Sequence, residues 1–194
     1  MFGTVSETKK NLLAEINLPA EFESVFLNRL NAADHRYIKD LKINLSNSLK
    51  AQTLNEKEAV LIALSIAINE KATDLIASLE ESAKAKGVEE KELLEVASCV
   101  SLMNANNILY RFRHFMNKDS YTNIPAGIRM SIMMSPVLGK EFFELLSLVI
   151  SAINGCELCV TSHEASVKQH GATEQRIFDA VRLGAVVKSV ITLL

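Results

Sequence analysis

The sequence predicts an all-α fold. Apolar residues recur at helical spacing along almost the whole chain, and no stretch sustains the period-2 alternation of a half-buried strand. The 7 glycines and 3 prolines sit at breaks between periodic runs rather than inside them. With 48 % of its 194 residues apolar, the chain can bury a sizeable core as one domain or as two small halves in tandem. A net charge of -2, with no blocks of like charge, argues against a nucleic-acid partner. No run of 18 apolar residues offers a membrane span. The start, Met1 to Lys10, lacks a basic region followed by an apolar one, so no secretory signal is expected and a cytoplasmic location is.

Taken in order, residues 1–35 read as an N-terminal extension. It is polar at first and runs to Pro19, which suits the first turn of a helix over about 20–31. Asp34 is the expected N-cap of a helix over about 35–49, with Tyr37, Ile38, Leu41 and Leu45 at helical spacing. Thr53 or Asn55 opens a helix over about 55–69 that carries Val60, Leu61, Leu64 and Ile68. A helix over about 71–85 ends near Gly87, a stop signal. Residues 90–116 are helical, with an interruption expected at Asn104-Ala105-Asn106-Asn107. Residues 117–126 form the clearest loop, and a short helix over about 127–134 stops before Pro136. Helices over about 139–153, 156–170 and 174–193 follow, with Gly171 between the last two.

An internal repeat runs through this series. Ala67-Ile68-Asn69 recurs as Ala152-Ile153-Asn154. At each copy an apolar helix precedes the triplet, a more polar helix follows and ends at a glycine, and a third helix comes after. Amphipathic hairpins in general share part of this pattern. As a true repeat it predicts two related halves, about 36–116 and about 117–194. Lys71, Asp74 and Ser78 then stand where the second half has Cys156, Cys159 and His163. The first half would be chemically degenerate and the second active.

Cys156, Cys159 and His163 share one face of a helix that starts after the turn signal Asn154-Gly155. Two thiols one turn apart can close a disulfide with little backbone movement, and an imidazole on the next turn can take or give the thiol proton. In a reducing compartment such a pair is redox-active or metal-binding more often than a structural staple. Glu144 is set among Phe142, Phe143, Leu145 and Leu146. If Asn154-Gly155 turns an antiparallel hairpin, Glu144 and His163 lie at nearly equal heights, at about 1.5 Å rise per residue. The carboxylate then meets the imidazole; otherwise it is simply solvated. A thiol titrates near 8.5 and needs help to ionise at neutral pH. The helix N-terminus favours the thiolate of Cys156. A carboxylate helps only by accepting the proton, so Glu144 fits a base and not an electrostatic stabiliser.

Glu144, Ser151-Ala152-Ile153-Asn154-Gly155-Cys156, Cys159 and His163-Glu164 resemble the active-site segment of the alkyl hydroperoxide reductase AhpD family, in the carboxymuconolactone decarboxylase-like group. Tyr37 to Ser46, Asn106 to Arg113 and Gly127-Ile128-Arg129-Met130 are similar to that family's earlier signatures. The resemblance implies an all-α fold of two related helical halves, assembled as a homotrimer. It implies an antioxidant dithiol enzyme that reduces the peroxiredoxin AhpC with electrons from the lipoyl group of a 2-oxo-acid dehydrogenase component. Weak direct reduction of hydroperoxides and no bound cofactor are also implied. By position, Cys159 is the peroxidatic thiol that becomes sulfenic acid, and Cys156 is its proton donor and disulfide partner. Glu144 and His163 form the relay that activates Cys159. The family often has a second histidine just before the second cysteine; here that residue is Leu158, so one branch of the relay is missing or supplied otherwise. The helix dipole by itself makes Cys156 the more acidic thiol, in tension with the family assignment.

Two other readings compete. Cys156, Cys159, His163 and Glu144 could bind a metal, although consecutive ligands on one helix leave the fourth poorly placed for a tetrahedron. A lyase like the decarboxylases of the same group would make the cysteines incidental. His170 precedes Gly171 and suits a C-terminal dipole partner. His35 is expected to be exposed, and Cys99 to be a buried inert thiol. His114 lies beside Arg111 and Arg113, which suit a solvated face, an intersubunit ion pair or an acidic partner.

Overall fold

A computed structural model describes residues 6–194, and all the regular structure among them is helical. The helices are α1 (Glu7–Glu15), α2 (Val25–Ala32), α3 (Tyr37–Leu49), α4 (Glu56–Glu70), α5 (Thr73–Ala85), α6 (Glu90–Met116), α7 (Asp119–Thr122), α8 (Lys140–Ile153), α9 (Glu157–Gln169) and α10 (Glu174–Ile191). None of them is long and apolar enough to cross a membrane.

The centre is a pair of helices apolar almost all round. Ala59 to Ala67 of α4 and Phe142 to Ser151 of α8 are unbroken buried runs. The two touch each other, and each turns back on a more polar partner, α4 on α5 and α8 on α9. The third helix of each set, α6 or α10, packs against both α4 and α8. The fold is thus two related helical halves sharing one core. Where α10 crosses α8, a Cβ on Gly184 would come within 2.7 Å of Val149 Cγ1, so only glycine allows the approach.

One link between the sets is polar. Arg176 of α10 donates to Glu58 Oε1 (2.6 Å) and Oε2 (3.0 Å), to Glu141 Oε1 (2.8 Å) and Oε2 (2.9 Å), and to the Thr53 carbonyl (2.6 Å). Glu58 also closes the capping box of α4 with Asn55. Hydrogen bonds to the Glu141 and Glu58 carboxylates hold the guanidinium pKa above its ordinary value. Arg176→Met leaves two largely buried carboxylates without their donor. It should lower stability by about 3 kcal/mol, seen as an earlier urea midpoint at unchanged slope.

Several elements differ from the sequence expectation. Residues 7–15 form a helix that was not foreseen. Ser6 caps it, and Leu12 and Leu13 are fully buried where it packs on α3. Its Lys9 is buried too, its ammonium donating to the Phe22 carbonyl (2.9 Å) and Asn28 Oδ1 (2.6 Å). Pro19 does not start α2. Its carbonyl closes a turn with Phe22, and Ser24 is the cap, accepting from Leu27 N–H. Asp34 lies in the left-handed region instead of capping α3; the His35 ring accepts from Tyr37 N–H at that end. Only a 3-10 turn, Ser131–Met133, forms within 127–134, and the 117–126 loop contains the single turn α7. α6 is continuous through Asn104 to Asn107, because the amides of Asn104 and Asn107 find tertiary partners.

Candidate active site

The turn between α8 and α9 is dictated by Gly155. It sits at φ 69° just past the end of α8, a conformation that glycine adopts freely. Gly155 N–H bonds to the Ala152 carbonyl (3.1 Å) and Cys156 N–H to the Ser151 carbonyl (3.0 Å), a Schellman closure. Cys156 then serves at once as N-cap of α9. In the first half, Lys71 takes the left-handed position and Ala72 is the N-cap of α5. α4 therefore runs one residue further than its counterpart, and the correspondence read from the sequence shifts by one. Ala72, Leu75 and Leu79, not Lys71, Asp74 and Ser78, stand where Cys156, Cys159 and His163 stand in the second half. Leu75 and Leu79 are buried. Core packing occupies the place of the thiol and the imidazole.

Four asparagines brace this turn. Asn69 and Asn154, the last residues of the two Ala-Ile-Asn triplets, meet directly, Asn69 Nδ2 donating to Asn154 Oδ1 (3.1 Å). From α6, Asn104 donates to Asn69 Oδ1 (2.8 Å), and Asn107 Oδ1 accepts from Asn154 Nδ2 (2.9 Å). Asn107 Nδ2 donates to Ser151 Oγ (2.9 Å). Arg111 donates to the Asn154 carbonyl (2.5 Å), and Arg113 to the Ile124 carbonyl. Both arginines, read from sequence as a solvated or partner-facing pair, are turned to the chain's own backbone.

Cys156 and Cys159 are joined in a disulfide, Cα to Cα 5.3 Å. Cys156 is fully buried and Cys159 keeps 6 % of its surface exposed. Beside them Leu158 is 46 % exposed, so the side chain in place of an extra histidine faces outward. Across the hairpin Glu144 Oε2 lies 2.7 Å from His163 Nδ1, the meeting that an antiparallel hairpin was expected to produce. Glu144 is buried, and Lys140 Nζ stands 3.0 Å from its Oε1. Burial pushes the Glu144 carboxyl up, but the hydrogen bonds from His163 and Lys140 outweigh it and hold the group below its ordinary value. Its ionised form therefore stabilises the fold above the ordinary carboxylate range. That contribution is lost as pH falls through the depressed value. An ionised carboxylate only accepts, so His163 donates from Nδ1, and in the neutral ring Nε2 is the open lone pair.

Lys140 is the site residue that the sequence reading missed. Its signal was a Lys-Glu pair four apart at the start of an apolar helix, which commonly marks a solvated face. The remaining candidates do not join the site. His170 donates to the Ser166 carbonyl (2.8 Å) at the end of α9. His114 is 3.6 Å from the exposed Glu157. Cys99 is buried, which pushes its thiol up to about 12 despite a contact with Ser147 Oγ (3.4 Å). Among the described residues no cluster of three or more His, Cys, Asp or Glu side chains could hold a metal ion.

Such a site can shuttle two electrons between dithiol and disulfide while a carboxylate-anchored imidazole handles the proton. Comparison with known proteins points the same way. A profile described as the Carboxymuconolactone decarboxylase family matches residues 121–193. A Maricaulis maris protein named alkyl hydroperoxide reductase AhpD is 36 % identical over 160 residues, covering 81 % of this chain and 91 % of that one. Another of the same name, from Rhizorhabdus wittichii, is 36 % identical over 156 residues, 80 % of this chain and 90 % of its own. A third, from Anaeromyxobacter dehalogenans, is 45 % identical over 93 residues, 48 % of this chain and 50 % of its own.

Proposed function

The chain belongs to the alkyl hydroperoxide reductase AhpD family, in the carboxymuconolactone decarboxylase-like group, and from that premise we propose that it is an antioxidant thiol-disulfide oxidoreductase. In this reading it reduces the disulfide of an AhpC-type peroxiredoxin, draws electrons from protein-bound dihydrolipoyl groups, and reduces hydroperoxides weakly by itself. It works in the cytoplasm as a homotrimer and binds no cofactor. The observation that carries the reading is one hairpin holding both a closed Cys156–Cys159 bridge and a buried Glu144–His163 hydrogen bond.

The chemistry runs as follows. In the reduced protein, His163 Nε2 takes the proton of the Cys159 thiol, one turn back on the same helix, and Glu144 holds the resulting imidazolium. The Cys159 thiolate attacks a hydroperoxide oxygen. An S–O bond forms, the O–O bond breaks, and the alcohol leaves with a proton. Cys156 attacks the sulfenic sulfur, giving the disulfide and water. With a peroxiredoxin disulfide in place of peroxide, Cys159 forms a mixed disulfide that Cys156 resolves. A dihydrolipoyl dithiol returns two electrons by the same exchange. The greater exposure of Cys159 and its nearness along the helix to His163 support its role as attacking thiol, against the dipole argument for Cys156.

The test is a coupled assay with dihydrolipoamide, a hydroperoxide and an AhpC-type peroxiredoxin. Peroxide consumption should require all the components. Peroxiredoxin reduction that proceeds equally without this protein would overturn the reading. A lyase activity without peroxide that survives in C156S/C159S would favour the lyase instead.

A further inference from the structure

We propose that Lys140 is a positioning residue of the relay: clamped between the Met133 carbonyl and Glu144 Oε1, it keeps the other carboxylate oxygen aimed at His163 Nδ1. The inference rests on the proposed dithiol function and adds to it a residue that sequence reasoning did not assign.

Three observations carry it. The first is division of labour on one carboxylate. Glu144 sits among Phe142, Phe143, Leu145 and Leu146, all buried, and its two oxygens take different partners: Oε2 the His163 ring at 2.7 Å, Oε1 the Lys140 ammonium at 3.0 Å. With one partner only, a carboxylate in such surroundings could turn about its last torsion or take up a proton. The second is that the ammonium is itself held from the far side. Lys140 Nζ donates to the Met133 carbonyl at 2.6 Å, at the end of the 3-10 turn, and the side chain is only 35 % exposed. The third is that the residue is misplaced for helix stability. Lys140 is the first residue of α8, where the positive end of the helix dipole repels a cation. A local rule broken at one position, beside the only carboxylate of the site, is what a functional constraint produces.

From α6 come two more titratable groups: Cys99, whose thiol stays neutral at working pH because burial pushes it up to about 12, and the buried Glu95 carboxylate, which accepts from Val137 and Leu138 N–H just before α8 and does not touch Glu144. His163 on α9 and Lys140 on α8 are therefore the partners that set the charge of Glu144. Lys140 secures the carboxylate, the carboxylate secures the Nδ1–H tautomer, and that tautomer leaves Nε2 for the thiol.

The experiment pairs Lys140→Met with Lys140→Arg. In histidine-labelled protein, the His163 ring nitrogens report the tautomer by NMR without any turnover. In the coupled assay, kcat/KM against pH reports the relay. Lys140→Met should lower kcat/KM about 10- to 100-fold and move its acid limb upward by roughly one pH unit, with loss of the single Nδ1–H tautomer. Lys140→Arg should restore most of both. Should the Met variant fail to fold, Lys140→Gln carries the same expectation. A Met or Gln variant with the wild-type tautomer and an unmoved acid limb overturns the proposal, however far Tm falls. Failure of the dithiol reading looks different: wild-type protein would show no peroxiredoxin-dependent turnover, while the tautomer still responded to Lys140.

Discussion

Cys159→Ser should reduce peroxiredoxin-linked turnover by about 10⁴-fold or more, to background. A serine hydroxyl one turn from His163 is far less acidic than a thiol and forms no disulfide with Cys156. Cys156→Ser should fail differently. It keeps the attacking thiol, so mixing with a hydroperoxide should release about one alcohol per protein and then stop, leaving Cys159 as sulfenic acid. Multiple turnovers would be lost because nothing displaces the hydroxyl. Ultraviolet absorbance of the thiolate, followed against pH in the two single variants, settles the order of attack. Cys159 in Cys156→Ser should ionise at the lower pH. The opposite order would hand first attack to Cys156, at the helix N-terminus.

Glu144→Gln is expected to lower kcat/KM by about 10²- to 10⁴-fold while leaving the disulfide able to form under strong oxidant. The amide matches the carboxylate in shape, so the packing of the buried α8 survives. What it loses is charge. Gln can donate as well as accept, so it no longer enforces Nδ1–H on His163, and it does not stabilise an imidazolium. Its single oxygen can accept from Lys140 or from His163 but not from both. Activity within a factor of a few of wild type would mean that the proton leaves Cys159 by another route.

The parts legible in the sequence are those that local rules control. The Asn-Gly turn, the cysteines at helical spacing and the equal heights of Glu144 and His163 follow from backbone geometry, and the α8–α9 hairpin has all of them. The parts that stayed hidden depend on tertiary partners. Asn104 to Asn107 look like a helix break because asparagine competes locally for the backbone. In the fold, Asn104 and Asn107 bond to the asparagines of the two turns instead, and the helix runs on. α1 was missed because its few apolar residues lie beside lysines, one of which is buried against a carbonyl. The one-residue offset between the halves was invisible because a lysine, Lys71, takes the left-handed position that a glycine takes in the other half.

The asparagine bracing also bears on how the protein ages. An asparagine followed by glycine is prone to lose ammonia when its side-chain carbon is attacked by the next backbone nitrogen. At Asn154 the side-chain amide is occupied by Asn69 and Asn107, and the Gly155 nitrogen is engaged with Ala152. Neither reactant is free to turn toward the other while the chain is folded. The residue pair that makes the bend also makes it perishable, and the neighbouring half of the molecule acts as its preservative.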